Sequence, residues 1–340
     1  MIVLGIETSC DETAASVVGP SGVLSDVVHT QEIHREYGGV VPELAGRAHA
    51  ERIVTTATAA LQRAGVEKPE GVAATSGPGL MGAVLVGLCF GKAAAIGWGV
   101  PFVGVNHLEG HLLAPLLEDE PPSFPFLSLV VSGGHTTLYL AKAVGEYEVL
   151  GQTIDDAAGE AFDKVARMLG LGYPGGPAVD ALATRGNPQG VSLPRPDPGR
   201  RLGNAVARRG ANLARRPLDM SFSGLKTAVK THLERNALYG TADPDTAASF
   251  QAAVADVLCQ RIERAMKETG IRRVALGGGV AANSYLRERV QALDAAVTLP
   301  PRSRCTDNGS MIAHVGRLRM LMGQRDSWST TAQANWVPGT

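Results

Sequence analysis

The segment IVLGIETSCDETAASVV at residues 2–18 decides the fold, because FLSLVVSGGHTTLYLA at residues 126–141 repeats its pattern. Each segment is an apolar strand, a turn of small and polar residues and a second apolar strand, which predicts a β-hairpin. A turn of this kind can bring backbone N–H groups against an anion. Two such hairpins, about a domain length apart, predict an internally duplicated α/β protein with a nucleotide in the cleft between its halves.

The chain outside the hairpins alternates helical and strand patterns, which indicates two α/β domains. At 340 residues the chain is too long for one ordinary hydrophobic core. We predict an N-terminal domain at residues 1–122, joined by the C-terminal helix at 308–325. A second domain at 123–307 carries a basic insertion at about 187–218, and the tail after the last helix is expected to be loose.

The composition and the N-terminal segment indicate the kind of partner and the cellular compartment to expect. The formal net charge is −1, so a nucleic acid would have to bind a local basic patch rather than the molecule as a whole. The four cysteines are scattered, which fits a reducing compartment better than a disulfide framework. Because MIVLGIETS is typical of a strand rather than of a signal peptide, a cytoplasmic location is expected.

One stretch, Leu80–Trp98, has nearly the length and apolar character of a membrane span. It is rich in Gly and Ala, carries Lys92 near its middle and lacks basic flanks. These features favour a buried, closely packed core helix, so no membrane association is predicted.

The motif NHLEGH at residues 106–111 is the sharpest local signal. Asn106 is a good helix N-cap, and His107 and His111, four residues apart, would project from one face of the helix. This spacing suits two imidazole ligands on one metal ion, although a helix that begins with two surface histidines has the same pattern.

A zinc protease is the obvious alternative, because HLEGH resembles HExxH. The protease base follows the first histidine directly, about 100° around the helix. Glu109 stands two residues after His107, about 200° around, and would face away from both rings. The sequence therefore argues against a protease.

Glycine-rich turns follow two predicted strands, as VSGGHT at residues 131–136 and GGGVAAN at 277–283. Glycines there would let a phosphate or a flat ligand lie against the backbone, and Asn283 could read hydroxyls or a base edge. Ordinary tight turns remain the alternative for both motifs. Neither has the GxGxxG spacing, so a Rossmann dinucleotide site is not expected.

Carboxylates accompany these turns. DAAGEAFDK places Glu160 and Asp163 on adjacent turns of a helix, and YPGGP is followed by Asp180, where an acid beside a glycine turn could hold ribose hydroxyls. The alternative is a solvated helix face followed by a loop. In CTDNG, Asp307 is either the N-cap of the last helix or a metal ligand, and the sequence alone leaves both open.

In this order the motifs resemble those of the tRNA N6-adenosine threonylcarbamoyltransferase family, TsaD in bacteria, once misnamed O-sialoglycoprotein endopeptidase. The similarity runs from GIETSCDETA at residue 5 to CTDNGSMIA at residue 305. It includes SGPGLMGAVL at 76–85, SFSGLKT at 221–227 and the motifs above. The resemblance implies the duplicated actin/sugar-kinase/Hsp70-like ATPase fold, in agreement with the two hairpins.

The resemblance also implies a site and a reaction. It assigns one divalent metal ion per subunit, iron(II) or alternatively zinc, to His107, His111 and Asp307. The residues that it assigns to threonylcarbamoyl-AMP are Val130, Val131, Ser132, Gly133, Gly134, Asp163, Gly176, Asp180 and Asn283. The implied activity is transfer of the threonylcarbamoyl group to N6 of the adenosine 3′-adjacent to the anticodon, in tRNAs that read codons beginning with A. The sequence does not identify any residue as the general base.

The implied partners are tRNA, the adenylate, a TsaB-like pseudo-enzyme paralogue and a small TsaE-like ATPase. Three alternatives share the fold: a sugar or acetate kinase, an O-carbamoyltransferase, and a nucleotide-gated binding module of the Hsp70 kind. Of these, the kinase and the binding module would lack the histidine pair.

The insertion departs from the family pattern, because residues 195–216 carry seven arginines and one aspartate. It is either a cationic segment that follows a tRNA backbone or a solvated loop.

Overall fold

The computed structural model describes residues 1–198 and 216–339. It divides into two compact units, Met1–Pro121 with Asp307–Thr340, and Pro122–Thr306. Each unit is built on one five-stranded sheet.

The strands follow the predicted hairpins and alternation. In chain order they are β1 (Val3–Glu7), β2 (Glu12–Gly19), β3 (Gly22–Thr30), β4 (Gly71–Gly77), β5 (Phe102–Asn106), β6 (Phe126–Val131), β7 (Thr136–Ala143), β8 (Glu146–Gln152), β9 (Arg273–Gly277) and β10 (Ala296–Thr298).

The helices fill the segments between the strands. The α-helices of the described residues are α1 (His34–Tyr37), α2 (Pro42–Ala64), α3 (Met81–Trp98), α4 (His107–Leu113), α5 (Ala158–Met168), α6 (Gly175–Ala183), α7 (Ser223–Arg235), α8 (Pro244–Thr269), α9 (Ser284–Gln291) and α10 (Gly309–Leu321).

The two sheets have the same topology. The first has the order β3-β2-β1-β4-β5, and the second, read from its other edge, has the order β8-β7-β6-β9-β10. In each sheet the first three strands are antiparallel and the last two join in parallel. Both hairpin predictions are therefore confirmed, and the second sheet repeats the first strand for strand.

Each unit has its own core. In the first, α2 and α3 pack on the sheet through a cluster that includes Ile6, Ala57 and Leu88. Helix α10, although last in the chain, packs against β1, β2 and β4 of the same unit. In the second unit, α5–α8 share one apolar cluster with the strands of the sheet, and α8 contributes the fully buried Phe250 and Leu258.

The prediction of a loose C-terminal tail is wrong. Residues 326–336 are hydrogen-bonded to the first unit along the ends of β4 and β5. The Gln333 N–H donates to the Ser76 carbonyl oxygen at 2.8 Å, and Asn106 Nδ2 donates to the Trp336 carbonyl oxygen at 3.0 Å. Both of these contacts use backbone atoms of the tail, which a side-chain pattern does not reveal.

The prediction that α3 is a buried core helix is correct for one face only. Its Gly- and Ala-rich side packs on the sheet, where Leu88 is 1% exposed, whereas Leu85 and Ile96 are 41% and 59% exposed. By length and composition alone this helix could cross a membrane, and 33% of it is buried. Many core helices have the same length and composition, so this observation is weak evidence for a membrane span.

Candidate functional site

The helix that carries the histidine pair begins directly after a buried strand. β5 ends at Asn106, whose Oδ1 accepts hydrogen bonds from the N–H groups of Leu108 at 2.9 Å and Glu109 at 3.3 Å. The predicted N-cap is confirmed, and α4 starts at His107. The amide of Asn106 is held in turn by the C-terminal tail, so both ends of this side chain are fixed.

The two histidines and Asp307 meet in the first unit. His111 Nε2 lies 3.0 Å and His107 Nε2 lies 3.6 Å from Asp307 Oδ1. The two rings are edge-to-face, with centroids 4.7 Å apart. One ligand atom from each of the three residues lies within 4.8 Å of the others, so this group could hold a metal ion.

The alternative interpretations of these three residues do not hold. His107 is 6% exposed and His111 is fully buried, so they are not surface histidines. Asn308, not Asp307, is the N-cap of α10, because its Oδ1 accepts from the Met311 N–H at 2.9 Å. Two buried imidazoles and a carboxylate that does not cap the helix make a donor set suited to a divalent transition metal.

The electrostatics of this group favour positive charge. Burial by itself would lower the pKa of His107, but the carboxylates of Asp307 and Glu7 outweigh it and raise the pKa to about 9. Burial opposes ionisation of Glu7, yet interaction with His107 leaves the pKa of Glu7 below its ordinary value. In the protein without metal, a proton on His107 supplies the positive charge, and a bound metal cation would supply it instead.

The sequence did not single out the residues behind His107. Its Nδ1 lies 2.9 Å from Glu7 Oε2 and 3.1 Å from Ser9 Oγ. Thr75, in the neighbouring strand β4, donates from Oγ1 to the same Glu7 oxygen at 2.6 Å. A signal was present in the sequence, since an acid at the end of an otherwise apolar strand needs a buried partner.

Two further groups, one in the β1–β2 turn and one at the start of β2, are affected by the negative charge of Asp307. Burial, then Asp307 and Asp11, raise the pKa of Glu12 well above its ordinary value. Burial and Asp11 also raise the pKa of the Cys10 thiol. Cys10 therefore stays a thiol at neutral pH and is not an activated nucleophile. Glu12 is a buried carboxyl with a raised pKa that sequence reasoning missed, and groups with perturbed pKa values are candidates for acid–base work.

Glu109 is directed toward α10 instead of toward the histidine pair, as predicted. Its carboxylate is fully buried and ion-paired with Arg319 of α10, with Oε2 2.6 Å from Nη2 and Oε1 3.2 Å from Nε. Since both oxygens are bound to a guanidinium, Glu109 is not placed to activate a water on the metal. The geometry removes the protease alternative.

The predicted adenylate residues all lie in the second unit, on β6, on the turns that follow β6 and β9, and on α5 and α6. These two strands are parallel neighbours, with Val130 paired to Gly277. The side chains of Val130 and Val131 are fully buried in the core, so only their backbone can meet a ligand. The Ser132 N–H donates to the His135 carbonyl oxygen at 2.7 Å, which closes the turn.

Gly133 and Gly134 form the exposed tip of this turn. A Cβ on either residue would meet no atom of the described residues within 4 Å. Gly278 differs, because its φ is +89° and a Cβ there would lie 2.4 Å from the Val131 carbonyl oxygen. Gly278 therefore packs against the Val131 backbone at the base of the turn, whereas the space beside Gly133 and Gly134 is open. A bound group could occupy that space.

The remaining predicted residues serve the protein's own structure in the absence of ligand. Asp163 Oδ1 accepts from the Gly175 N–H at 2.8 Å and so holds the start of α6. Asp180 accepts from Ser284. Asn283 caps α9 and donates from Nδ2 to Gln251 Oε1 at 2.7 Å and to Asp180 Oδ1 at 3.3 Å. A ligand that binds Asn283 would therefore have to share this side chain with the hydrogen bonds that it already makes within the protein.

Gly176 is the second residue of α6, the helix that also carries Asp180, and a Cβ on it would meet no described atom within 4 Å. It is open in the same sense as the glycine turn. The predicted location of the nucleotide between the two halves of the chain stays a prediction.

Comparison with known proteins gives consistent results. The family profile described as TsaD, tRNA N6-adenosine threonylcarbamoyltransferase, matches residues 22–314. The tRNA N6-adenosine threonylcarbamoyltransferase of Trichlorobacter lovleyi is 49% identical over 346 residues, covering 99% of this chain and 96% of that protein. The protein of the same name from Anaeromyxobacter dehalogenans is 50% identical over 345 residues, covering 98% of each.

Solved structures agree on the fold. HypF of T. kodakarensis superposes with a TM-score of 0.60 at 16% identity, covering 95% of this chain and 48% of that one. Component A of (R)-2-hydroxyglutaryl-CoA dehydratase from Acidaminococcus fermentans gives a TM-score of 0.52 at 13% identity, covering 94% and 99%. At these identities the likeness concerns the fold alone, and it confirms the duplicated actin/sugar-kinase/Hsp70-like class.

Proposed function

The chain belongs to the tRNA N6-adenosine threonylcarbamoyltransferase family, and on that premise we propose that it transfers the threonylcarbamoyl group of threonylcarbamoyl-AMP to N6 of the adenosine 3′-adjacent to the anticodon. The observation that carries the proposal is the convergence of His107, His111 and Asp307 in a chain that matches the family over its whole length. The family's motifs thus come with a donor set that a metal-dependent transferase needs.

We propose that these three residues hold one divalent ion, iron(II) or alternatively zinc. Two imidazoles and one carboxylate leave coordination positions open for a substrate. When bound, the ion would supply Lewis-acid polarisation of a carbonyl or phosphate oxygen. Asp307 joins the two histidines from the far end of the chain, so the site forms only in the folded first unit.

The adenylate is proposed to lie against the glycine turn of the second unit. The backbone N–H groups of Gly133 and Gly134 would hold its anionic phosphate, and Asp180 with Asn283 would contact the nucleoside. In the reaction, N6 of adenosine forms a bond to the carbamoyl carbon. The bond from that carbon to the phosphate oxygen breaks, AMP leaves with the electron pair, and N6 loses a proton. The protein contributes orientation and hydrogen bonds.

The alternatives on this fold are less well supported. A small-molecule kinase or an Hsp70-like module gives no reason for two buried histidines beside a carboxylate. An O-carbamoyltransferase shares the chemistry of the leaving group, and its acceptor would be a hydroxyl instead of an adenine amine. Comparing adenosine-containing tRNA with small hydroxyl acceptors separates these two activities.

The substrate proposed is tRNA, and the cooperating proteins proposed are a TsaB-like paralogue and a TsaE-like ATPase. A cytoplasmic location stays a prediction. Nucleoside analysis of tRNA tests the function directly. A strain depleted of this protein should lose N6-threonylcarbamoyladenosine and regain it on expression of the intact chain. Unchanged levels of the modified nucleoside in the depleted strain would refute the proposal.

A substitution at the glycine turn tests the adenylate site. Gly134→Val should weaken binding of a stable adenylate analogue at least tenfold, because the new side chain fills the open space beside the turn. The free energy of unfolding should change by no more than about 0.5 kcal/mol, since no described atom is in the way. Gly39→Val, at another glycine with open space around it, is the matched control. Equal calorimetric affinities for the two variants would remove the turn from the site.

The arginine-rich insertion gives a second test. Arg200, Arg201, Arg208, Arg209 and Arg215 lie outside the described residues. Of the two flanking arginines that are described, Arg195 is ion-paired with Asp256 at 3.0 Å. If the segment binds tRNA, replacing four of its arginines by serine should reduce the slope of log K against log[salt] by about 0.7–0.9 for each phosphate that is no longer neutralised.

The control for this experiment has the same change in net charge. It replaces four exposed arginines of the first unit by serine, namely Arg35, Arg47, Arg52 and Arg63. A slope that stays at the wild-type value in the insertion variant would classify the segment as a solvated loop.

A further inference from the structure

The ring of His107 is held at both nitrogens. Nε2 faces Asp307, 3.6 Å from its Oδ1, and Nδ1 lies 2.9 Å from Glu7 Oε2 and 3.1 Å from Ser9 Oγ. A carboxylate can only accept a hydrogen bond, so the proton between these two groups belongs to Nδ1. The lone pair of a neutral ring is then at Nε2, on the side of His111 and Asp307.

Glu7 is itself fixed by the sheet. Its side chain is fully buried at the end of β1, where Thr75 Oγ1 of β4 donates to Oε2 at 2.6 Å and the Ser9 N–H donates to Oε1. The two strands pair in parallel just before this point, with Ile6 opposite Ala74. These hydrogen bonds and the pairing of the two strands therefore fix the position of the carboxylate.

His111 has no comparable support. Its Nε2 meets Asp307 at 3.0 Å, but its buried Nδ1 has no hydrogen-bond partner among the described residues. The protein thus controls the tautomer and the orientation of one of the two histidines. Any substitution that frees the ring of His107 would remove that control from the whole site.

We propose that Glu7 is a positioning residue of the metal site: it accepts the Nδ1–H of His107 and so presents the Nε2 lone pair to the ion. The inference rests on the proposed metal-dependent function and extends it to a residue outside the ligand set. Carboxylates that bind the far nitrogen of an imidazole ligand orient the ring and raise its basicity, and their removal costs about 10–100-fold in metal affinity.

The decisive variant is Glu7→Gln, which keeps the shape of the side chain and removes the charge. We expect iron(II) and cobalt(II) to bind about 10–100-fold more weakly in competition titrations. The visible spectrum of the cobalt-loaded protein should also change. In zinc-loaded protein labelled with 15N-histidine, the resonance of the His107 Nδ1–H proton should move upfield, because its acceptor would no longer be a charged carboxylate. None of these readouts uses tRNA or the adenylate.

Thr75→Val is the matched control. It removes a hydrogen bond to the same carboxylate from the same buried position, yet leaves Glu7 and His107 in contact. It should weaken metal binding by less than about threefold. If a folding defect alone were responsible, the two variants would lose metal in proportion to their loss of thermal stability.

Two results would overturn the inference. The first is metal affinity within threefold of wild type in folded Glu7→Gln, and the second is an unchanged His107 Nδ1–H resonance in the zinc-loaded variant. Should Glu7→Gln fail to fold, Glu7→Asp retains the charge with a shorter reach, and wild-type metal affinity in that variant would count against a positional role. A protein that binds metal through Glu7-oriented His107 but fails to modify tRNA would refute the proposed function and leave this inference standing.

Discussion

Replacing both His107 and His111 by alanine is expected to abolish metal binding and threonylcarbamoyl transfer. The two side chains supply two of the three ligand atoms that lie within 4.8 Å of one another. Asp307 alone would be left, and a single carboxylate does not retain a transition-metal ion in competition with water. Metal content by elemental analysis and transfer to tRNA in vitro should both fall to background.

The control for this variant removes the same number of imidazoles elsewhere. His29 and His232 are half-buried and lie outside the cluster, so their double alanine variant should keep its metal. The structure also predicts a difference between the single variants. His107→Ala leaves the buried Glu7 without its charge partner and should be the less stable, whereas His111→Ala should lose metal with a smaller loss of stability. Full metal occupancy in the double variant would eliminate the assigned ligands.

Local patterns accounted for the parts of the site that lie on single elements. The apolar–turn–apolar segments at 2–18 and 126–141 predicted the hairpins because their signal lies within about 16 residues of chain. The spacing of His107 and His111 predicted one helix face for the same reason. The role of Asp307 as a proposed metal ligand follows only from the family resemblance of its CTDNG motif. Nothing near it in sequence indicates a contact with His111, which lies 196 positions earlier.

The features that were missed depend on the pairing of distant segments. Glu7 meets Thr75, 68 residues away, because β1 and β4 are parallel neighbours, and no local pattern contains that register. The prediction of a loose tail rests on its position at the chain terminus, and the backbone hydrogen bonds that tie it to Ser76 and Asn106 leave no pattern in the side chains. The apolar character of α3 suggested burial on all sides, whereas only its small-residue face approaches the sheet.

A buried ion pair joins the two helices that position the proposed metal ligands. α4 carries His107 and His111, and α10 begins directly after Asp307 and its cap. Between these helices the fully buried Glu109 forms a bidentate pair with Arg319, whose side chain is 16% exposed. Bidentate pairs of this kind fix orientation as well as contributing energy.

Arg319→Met is therefore expected to destabilise the protein by about 3–5 kcal/mol, because it leaves a buried carboxylate without its guanidinium. Metal affinity should fall with it, since α4 loses its tie to the helix that follows Asp307. The double variant Glu109→Gln/Arg319→Met removes the unpaired buried charge and should recover a large part of the stability, which a double-mutant cycle by urea unfolding would measure.

Arg325→Met is the matched control, because Arg325 contacts the carbonyl oxygens of Met320 and Gln324. Its loss should cost less than about 1 kcal/mol. If Arg319→Met and Arg325→Met unfolded at the same urea concentration, the pair would not be what holds the two helices together, and the geometry of the three ligands would have to depend on the helix caps at Asn106 and Asn308 instead.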